Sequence, residues 1–221
     1  YVPERAAGNG RSSYTVFHKS LADWLTDPSR AGQLHHVSSR EGHRRLADLC
    51  WRYYHQGAER MPTYALAHLL PHLLATRRWG EAESALLHLP YLEARVCSGQ
   101  SFQMADDFTA TVDSLPEERP ERQRLKLLDE ALRRDLHFIA HHAQDYPQAL
   151  FQCLWNSGWW YDSPEAEFHY RVPDDGWQET PPWENPDPSS KCSTLLARWR
   201  KEREAAQPGF LWLRALRPPF A

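Results

Sequence analysis

Twelve histidines are the side chains best suited to chemistry in this chain, and some of them have suggestive spacing. His68 and His72 lie one helical turn apart, as do His137 and His141. One turn sets two imidazoles on one helix face, which is half of a zinc site. Zinc catalysis also needs a third ligand and an acid, such as the glutamate of His-Glu-x-x-His. Neither pair has one. His72 also follows Pro71 inside an apolar stretch, the setting of a neutral, hydrogen-bonded histidine, so structural roles are expected and no metal site is assigned. His18 is placed differently. Tyr14-Thr15-Val16-Phe17 reads as a strand, and Ser20 can cap a helix carrying Leu21, Trp24 and Leu25 on one face. A histidine at such a junction can be presented to a ligand while its apolar neighbours anchor it. Ser20 and Asp23 beside it have the residue types of a catalytic triad, but helix capping accounts for Ser20.

Other chemistry finds little purchase. A P-loop needs G-x-x-x-x-G-K-[ST] after a strand, and Gly8-Asn9-Gly10-Arg11-Ser12 lacks both the spacing and the lysine. No serine or cysteine sits in a G-x-S-x-G turn. The chain is therefore expected to be non-catalytic and to hold no cofactor of its own. Arg198-Trp199-Arg200-Lys201 is basic, but Glu202 and Glu204 follow at once, as on a solvated helix face. The formal net charge of -3 argues against nucleic acid as a partner.

Hydrophobic residues make up 41% of the 221 residues, and mean hydropathy is -0.71. No apolar run approaches the ~20 residues that cross a bilayer, so no membrane partner is expected. Cys50, Cys97, Cys153 and Cys192 show no C-x-x-C spacing and read as reduced core residues of a cytoplasmic protein. The chain begins at Tyr1 without a charged-then-apolar leader, and reads as a monomeric piece of something longer.

The elements around these residues are helical. Residues 1–13 are polar and rich in breakers, and read as loose. Ser38-Ser39-Arg40-Glu41 has a capping signature, with Leu46, Leu49, Cys50 and Tyr53 at helical spacing and Gly57 as a stop. Tyr64, Leu66, Leu69, Leu70, Leu73 and Leu74 mark a second helix that Pro71 should kink or loosen. A third follows Trp79 and carries Leu86, Leu87 and Leu89, with Pro90 near its end. Tyr91 to Val96, Phe102 to Leu115, a long helix through Leu125, Leu128, Leu132, Leu136 and Ile139, and Tyr146 to Trp155 complete the array. Trp79-Gly80-Glu81-Ala82 and Tyr146-Pro147-Gln148-Ala149 hint at an internal repeat. The expected fold is all-α, an irregular antiparallel superhelical array. Residues 156–190 are irregular and rich in proline, and hold Trp159, Trp160, Trp177 and Trp183. These rings either cover apolar helix surface or line a groove for a partner peptide. Residues 191–207 form a last amphipathic helix, with Leu196 and Trp199 inward.

Several stretches carry a resemblance. Phe17-His18 followed by Asp23-Trp24-Leu25, and Leu70-Pro71-His72-Leu73 within Leu66 to Val96, resemble the end of the winged helix and the following helical domain of signal-transducing ATPases of the apoptotic protease-activating-factor and NOD-like-receptor (STAND) class. Asp106-Asp107-Phe108 matches the next helix of that class. Lys19 stands where the class often has Asp. Phe210-Leu211-Trp212-Leu213-Arg214-Ala215-Leu216 resembles the connector before a WD-repeat propeller in its bacterial members. The resemblance implies that residues 1–30 end a winged-helix-like domain, 31–155 form the helical domain, and 208–221 are a connector. It implies an ATP/ADP-binding module elsewhere in the parent, with His18 as a contact to ADP phosphate. The partners it implies are that ATPase module and a C-terminal sensor. A free-standing helical scaffold that binds a peptide or partner protein is the alternative, and a metal- or Cys/His-dependent hydrolase comes last.

Overall fold

The structure, a computed structural model, describes residues 4–7, 11–14, 19–172, 174–176 and 180–219. Two short strands, β1 (Glu4–Ala7) and β2 (Arg11–Tyr14), pair antiparallel with Glu4 opposite Tyr14. The start of the chain is thus a hairpin where looseness was expected. Only Tyr14 of the expected Tyr14–Phe17 strand lies in β2, and Thr15 to His18 lie outside the described residues.

Nine helices follow among the described residues. They are α1 (Lys19–Thr26), α2 (Ser39–Tyr54), α3 (Thr63–Ala75), α4 (Trp79–Leu86), α5 (Leu89–Cys97), α6 (Ser101–Ser114), α7 (Glu121–His142), α8 (Ala149–Asp162) and α9 (Cys192–Ala206). The all-helical packed array read from the sequence is what the chain forms. The heaviest packing joins α2 to α3, α6 to α7, α7 to α8, and α8 to α9.

Local chemistry explains most boundaries. The Ser38 hydroxyl accepts from the Glu41 N–H at 3.2 Å and caps α2. Gly57 takes φ +113 just beyond its end, a conformation open to glycine. α3 runs through Pro71. Proline lacks the N–H that would meet the Ala67 carbonyl four residues back, and the Gln103 side chain of α6 supplies a donor to that carbonyl at 2.9 Å. A tertiary contact thereby repairs the helix that proline would break.

Some expectations need correction. α1 begins at Lys19, so Ser20 lies in its first turn rather than capping it, and α1 buries no residue. α4 stops at Leu86, and Leu89 and Pro90 open α5 instead of closing the third helix, because proline fits a first helical turn. On α2, Ala47 and Cys50 face the core while Leu49 is 36% exposed. Cys97 is exposed, so it is not a core thiol.

The largest revision concerns α8, which continues to Asp162 and takes Trp159 and Trp160 out of the segment read as irregular. The helix read as ending at Trp155 runs on through Asn156-Ser157-Gly158. Gly158 is there for packing: a Cβ would lie 3.2 Å from Cys192 Sγ and from Leu196 Cδ1 of α9. Asp162 then joins the two helices, its carboxylate accepting the Cys192 and Ser193 N–H groups at 2.6 and 2.8 Å. These are otherwise orphan donors at the start of α9. The core is one cluster running from Ala47 on α2 to Trp199 on α9.

Candidate functional site

α8, with its N-cap residue Gln148, offers two side-chain rows at four-residue spacing, so each row follows one helix edge. Gln148, Gln152 and Asn156 form an amide row. Phe151, Trp155 and Trp159 form an aromatic row beside it. Phe151 and Trp155 are buried, whereas Trp159 is half-buried and stacks on Trp155 with centroids 4.5 Å apart.

Residues 210–215 lie along these rows. The chain leaves α9 at Ala206 and turns at Gly209, whose φ is +82. The amide row then takes the main chain of this segment. Gln148 Nε2 donates to the Leu211 carbonyl at 3.4 Å, and Gln152 Oε1 accepts the Leu213 N–H at 2.7 Å. Asn156 works both ways, donating from Nδ2 to the Leu213 carbonyl at 2.9 Å and accepting the Ala215 N–H at 2.8 Å. The Tyr146 hydroxyl also donates to Gln152 Oε1 at 2.5 Å and helps to aim it.

The aromatic row takes alternate side chains. Phe210 meets Phe151 at 5.5 Å, and Trp212 meets Phe151 and Trp155 edge-on at 5.2 and 5.0 Å. Such edge-to-face geometry is favoured by the ring quadrupoles. The Arg214 guanidinium stands 5.4 Å over Trp159 and pairs with Glu165. That ion pair holds the Glu165 carboxyl below the usual range. Leu211 and Leu213 point away and are 80% and 74% exposed.

A second polar grouping joins α2 to α3. His43 Nδ1 and His72 Nδ1 are 2.9 Å apart, and the Tyr64 hydroxyl is 3.0 Å from His72 Nε2. His72 is only 7% exposed. Burial first, then His43 and His68, hold its pKa down. A neutral imidazole has one donor and one acceptor nitrogen, so it satisfies both neighbours in either tautomer. This is the neutral, hydrogen-bonded role expected for His72. The His68 ring lies 4.5 Å from that of Tyr64, tilted by 44°. His137 meets Phe102 at 5.3 Å, and His141 meets His142 at 4.9 Å. Among the described residues no group of three or more His, Cys, Asp or Glu is placed to hold a metal ion.

Of the four tryptophans singled out from sequence, the three that are described have different ring partners. Trp159 belongs with Trp155 and Arg214. Trp160 is 3% exposed and meets His169 edge-on at 5.0 Å. Trp183 stacks on Tyr170 at 5.5 Å. Trp177 and His18 lie outside the described residues. Sequence reasoning missed Gln148, Gln152 and Asn156. Their signal was available as amides at four-residue intervals beside an aromatic row of the same period. No family model matches the chain, nor does a curated protein or a solved structure.

Proposed function

We propose that this chain is a non-catalytic helical arm that works through protein–protein contacts, holding other polypeptide against its surface. The observation that supports this most is the amide row of α8. Side chains that hydrogen-bond successive main-chain groups of another segment suit a surface that holds polypeptide rather than one that transforms a substrate.

The sequence resemblance over residues 14–115 supports a more specific setting. There the arm belongs to a multidomain signalling ATPase and couples a nucleotide-dependent oligomerisation module to a C-terminal sensor, with a packed array transmitting displacement between them. ATP and ADP belong to the module, and His18 is the arm's contact with ADP phosphate. The second reading, a free-standing scaffold for a partner peptide, draws on the same amide row.

The test is His18→Ala in the full-length protein, reading ADP affinity and assembly without ligand. A charge-assisted hydrogen bond is worth ~1.5–3 kcal/mol, so basal assembly should rise roughly ten- to a hundredfold. Unchanged affinity and assembly would remove the nucleotide-coupled setting and leave the free-standing scaffold. ATP turnover by this chain that tracks with the protein through successive purifications would overturn the non-catalytic reading itself.

A further inference from the structure

We propose that the α8 face is a binding site for an extended partner peptide of the form aromatic-x-Trp-x-Arg, and that residues 210–214 are its resident internal occupant. This rests on the non-catalytic scaffold reading above and gives it a site and a ligand class.

Matching periods carry the argument. Four residues of helix advance about 6 Å, and two residues of extended chain advance about 6.6 Å. A row at 148, 152 and 156 therefore keeps step with main-chain groups at 211, 213 and 215. Both segments run in the same direction, as the order of the four hydrogen bonds requires. Main-chain groups are common to every sequence, so the amides fix register and direction without choosing side chains.

Selection comes from the neighbouring row. Phe151 and Trp155 make an aromatic trough for the first two inward positions. Trp159 and the Glu165 carboxylate form a cation seat for the third. The intervening positions face out and are unread, since Leu211 and Leu213 are largely exposed. The resident segment reaches the site through the exposed Gln207-Pro208-Gly209 link. A short tether of this kind gives an internal ligand an effective concentration in the mM range. A partner peptide therefore competes only when the resident segment is weakened or when it binds more tightly.

The test uses the full chain and a fluorescein-labelled peptide with the sequence of residues 209–217, read by fluorescence anisotropy. Arg214→Ala weakens the occupant and leaves the α8 rows intact. It should raise peptide affinity roughly tenfold or more, the loss expected from one charge-assisted contact. Adding Asn156→Ala or, as a second variant, Gln152→Ala should cancel the gain while the melting temperature shows that the array remains folded. A shifted peptide, with Trp alone moved by one position while Phe and Arg stay in place, should fail, because the three side chains then no longer lie on one face of the extended chain. Equal affinity of the parent and Arg214→Ala chains would overturn the proposal. So would equal binding of the shifted peptide, or binding that survives both amide substitutions. Dimers formed by exchanged 210–216 segments without peptide binding would also overturn it, naming a second copy as the occupant. Each of these failures leaves the scaffold reading standing, because that reading is tested by turnover.

Discussion

α3 and α8 hold their neighbours by different physics. α3 buries Leu66, Leu69, Leu70 and Leu73 against α2 and the rest of the array, and its polar link to α2 is the His43–His72–Tyr64 chain. α8 grips residues 210–215 through amide side chains on main-chain groups as well as through ring contacts. Leucine packing discriminates by shape, since every methylene removed from a dense interior leaves a void. An amide row discriminates by direction and register and tolerates whatever side chains face out. The first surface specifies one fold. The second is suited to exchanging what it holds.

The contrast should survive substitution. Trp155 lies under the segment and is 1% exposed. Trp155→Ala should cost ~3–5 kcal/mol in urea unfolding and also strip hydrogen-exchange protection from the Leu213 and Ala215 amides. Leu70→Ala, at a fully buried site, should cost ~2–5 kcal/mol while those two amides keep their relative protection. Loss of the segment in the Leu70 variant at temperatures where α8 stays protected would merge the two surfaces into one. Asn156→Ala deletes two hydrogen bonds, so about 1–3 kcal/mol of local stability should go. That loss should be visible at the segment's amides and nearly absent from the global melting temperature. A global shift of the same size would make the segment part of the core.

The smallest expected effect is a pH slope. Burial, then His43 and His68, keep His72 below the ordinary histidine range, so the folded state resists its protonation. The unfolded chain takes up that proton as pH drops through about 6.5. Below that value the unfolded state binds more protons and stability falls, until the pH drops below the folded pKa. His88, also held down mainly by burial, adds in the same direction. His72→Gln should flatten the slope of urea midpoint against pH. An unchanged slope would remove the α2–α3 histidines as its source.

How much of this was legible depends on the range of the interaction. The Ser38 cap and the leucine rows of α3 and α7 are local patterns, and the helices form where those patterns lie. Breaker residues misled. Pro90 looked like an end and is a beginning. The helix expected to end at Trp155 continues through Asn156-Ser157-Gly158 to Asp162. Proline fits one helix end and not the other, but from a short sequence the end is ambiguous. Glycine in a helix interior is unfavourable unless a neighbouring helix needs the space, and that neighbour, α9, starts 34 residues after Gly158. The separation of Trp159 from Trp160 has a similar cause. Adjacent residues on a helix point in different directions, so Trp159 and Trp160 serve different neighbours.

The sequence alone determined the helical class and most helix positions, because periodicity, caps and burial of apolar runs act over a few residues. It also placed Phe210 to Leu216 as a distinct apolar stretch. Tertiary structure decided what that stretch does. Only the folded chain brings 211, 213 and 215 alongside 148, 152 and 156, across about sixty residues whose path no local pattern encodes. The same holds for Gln103 and Ala67, and for Asp162 and the start of α9. In each case a polar group has its partner far along the chain, and hydrogen bonds between distant segments leave no periodic trace in sequence.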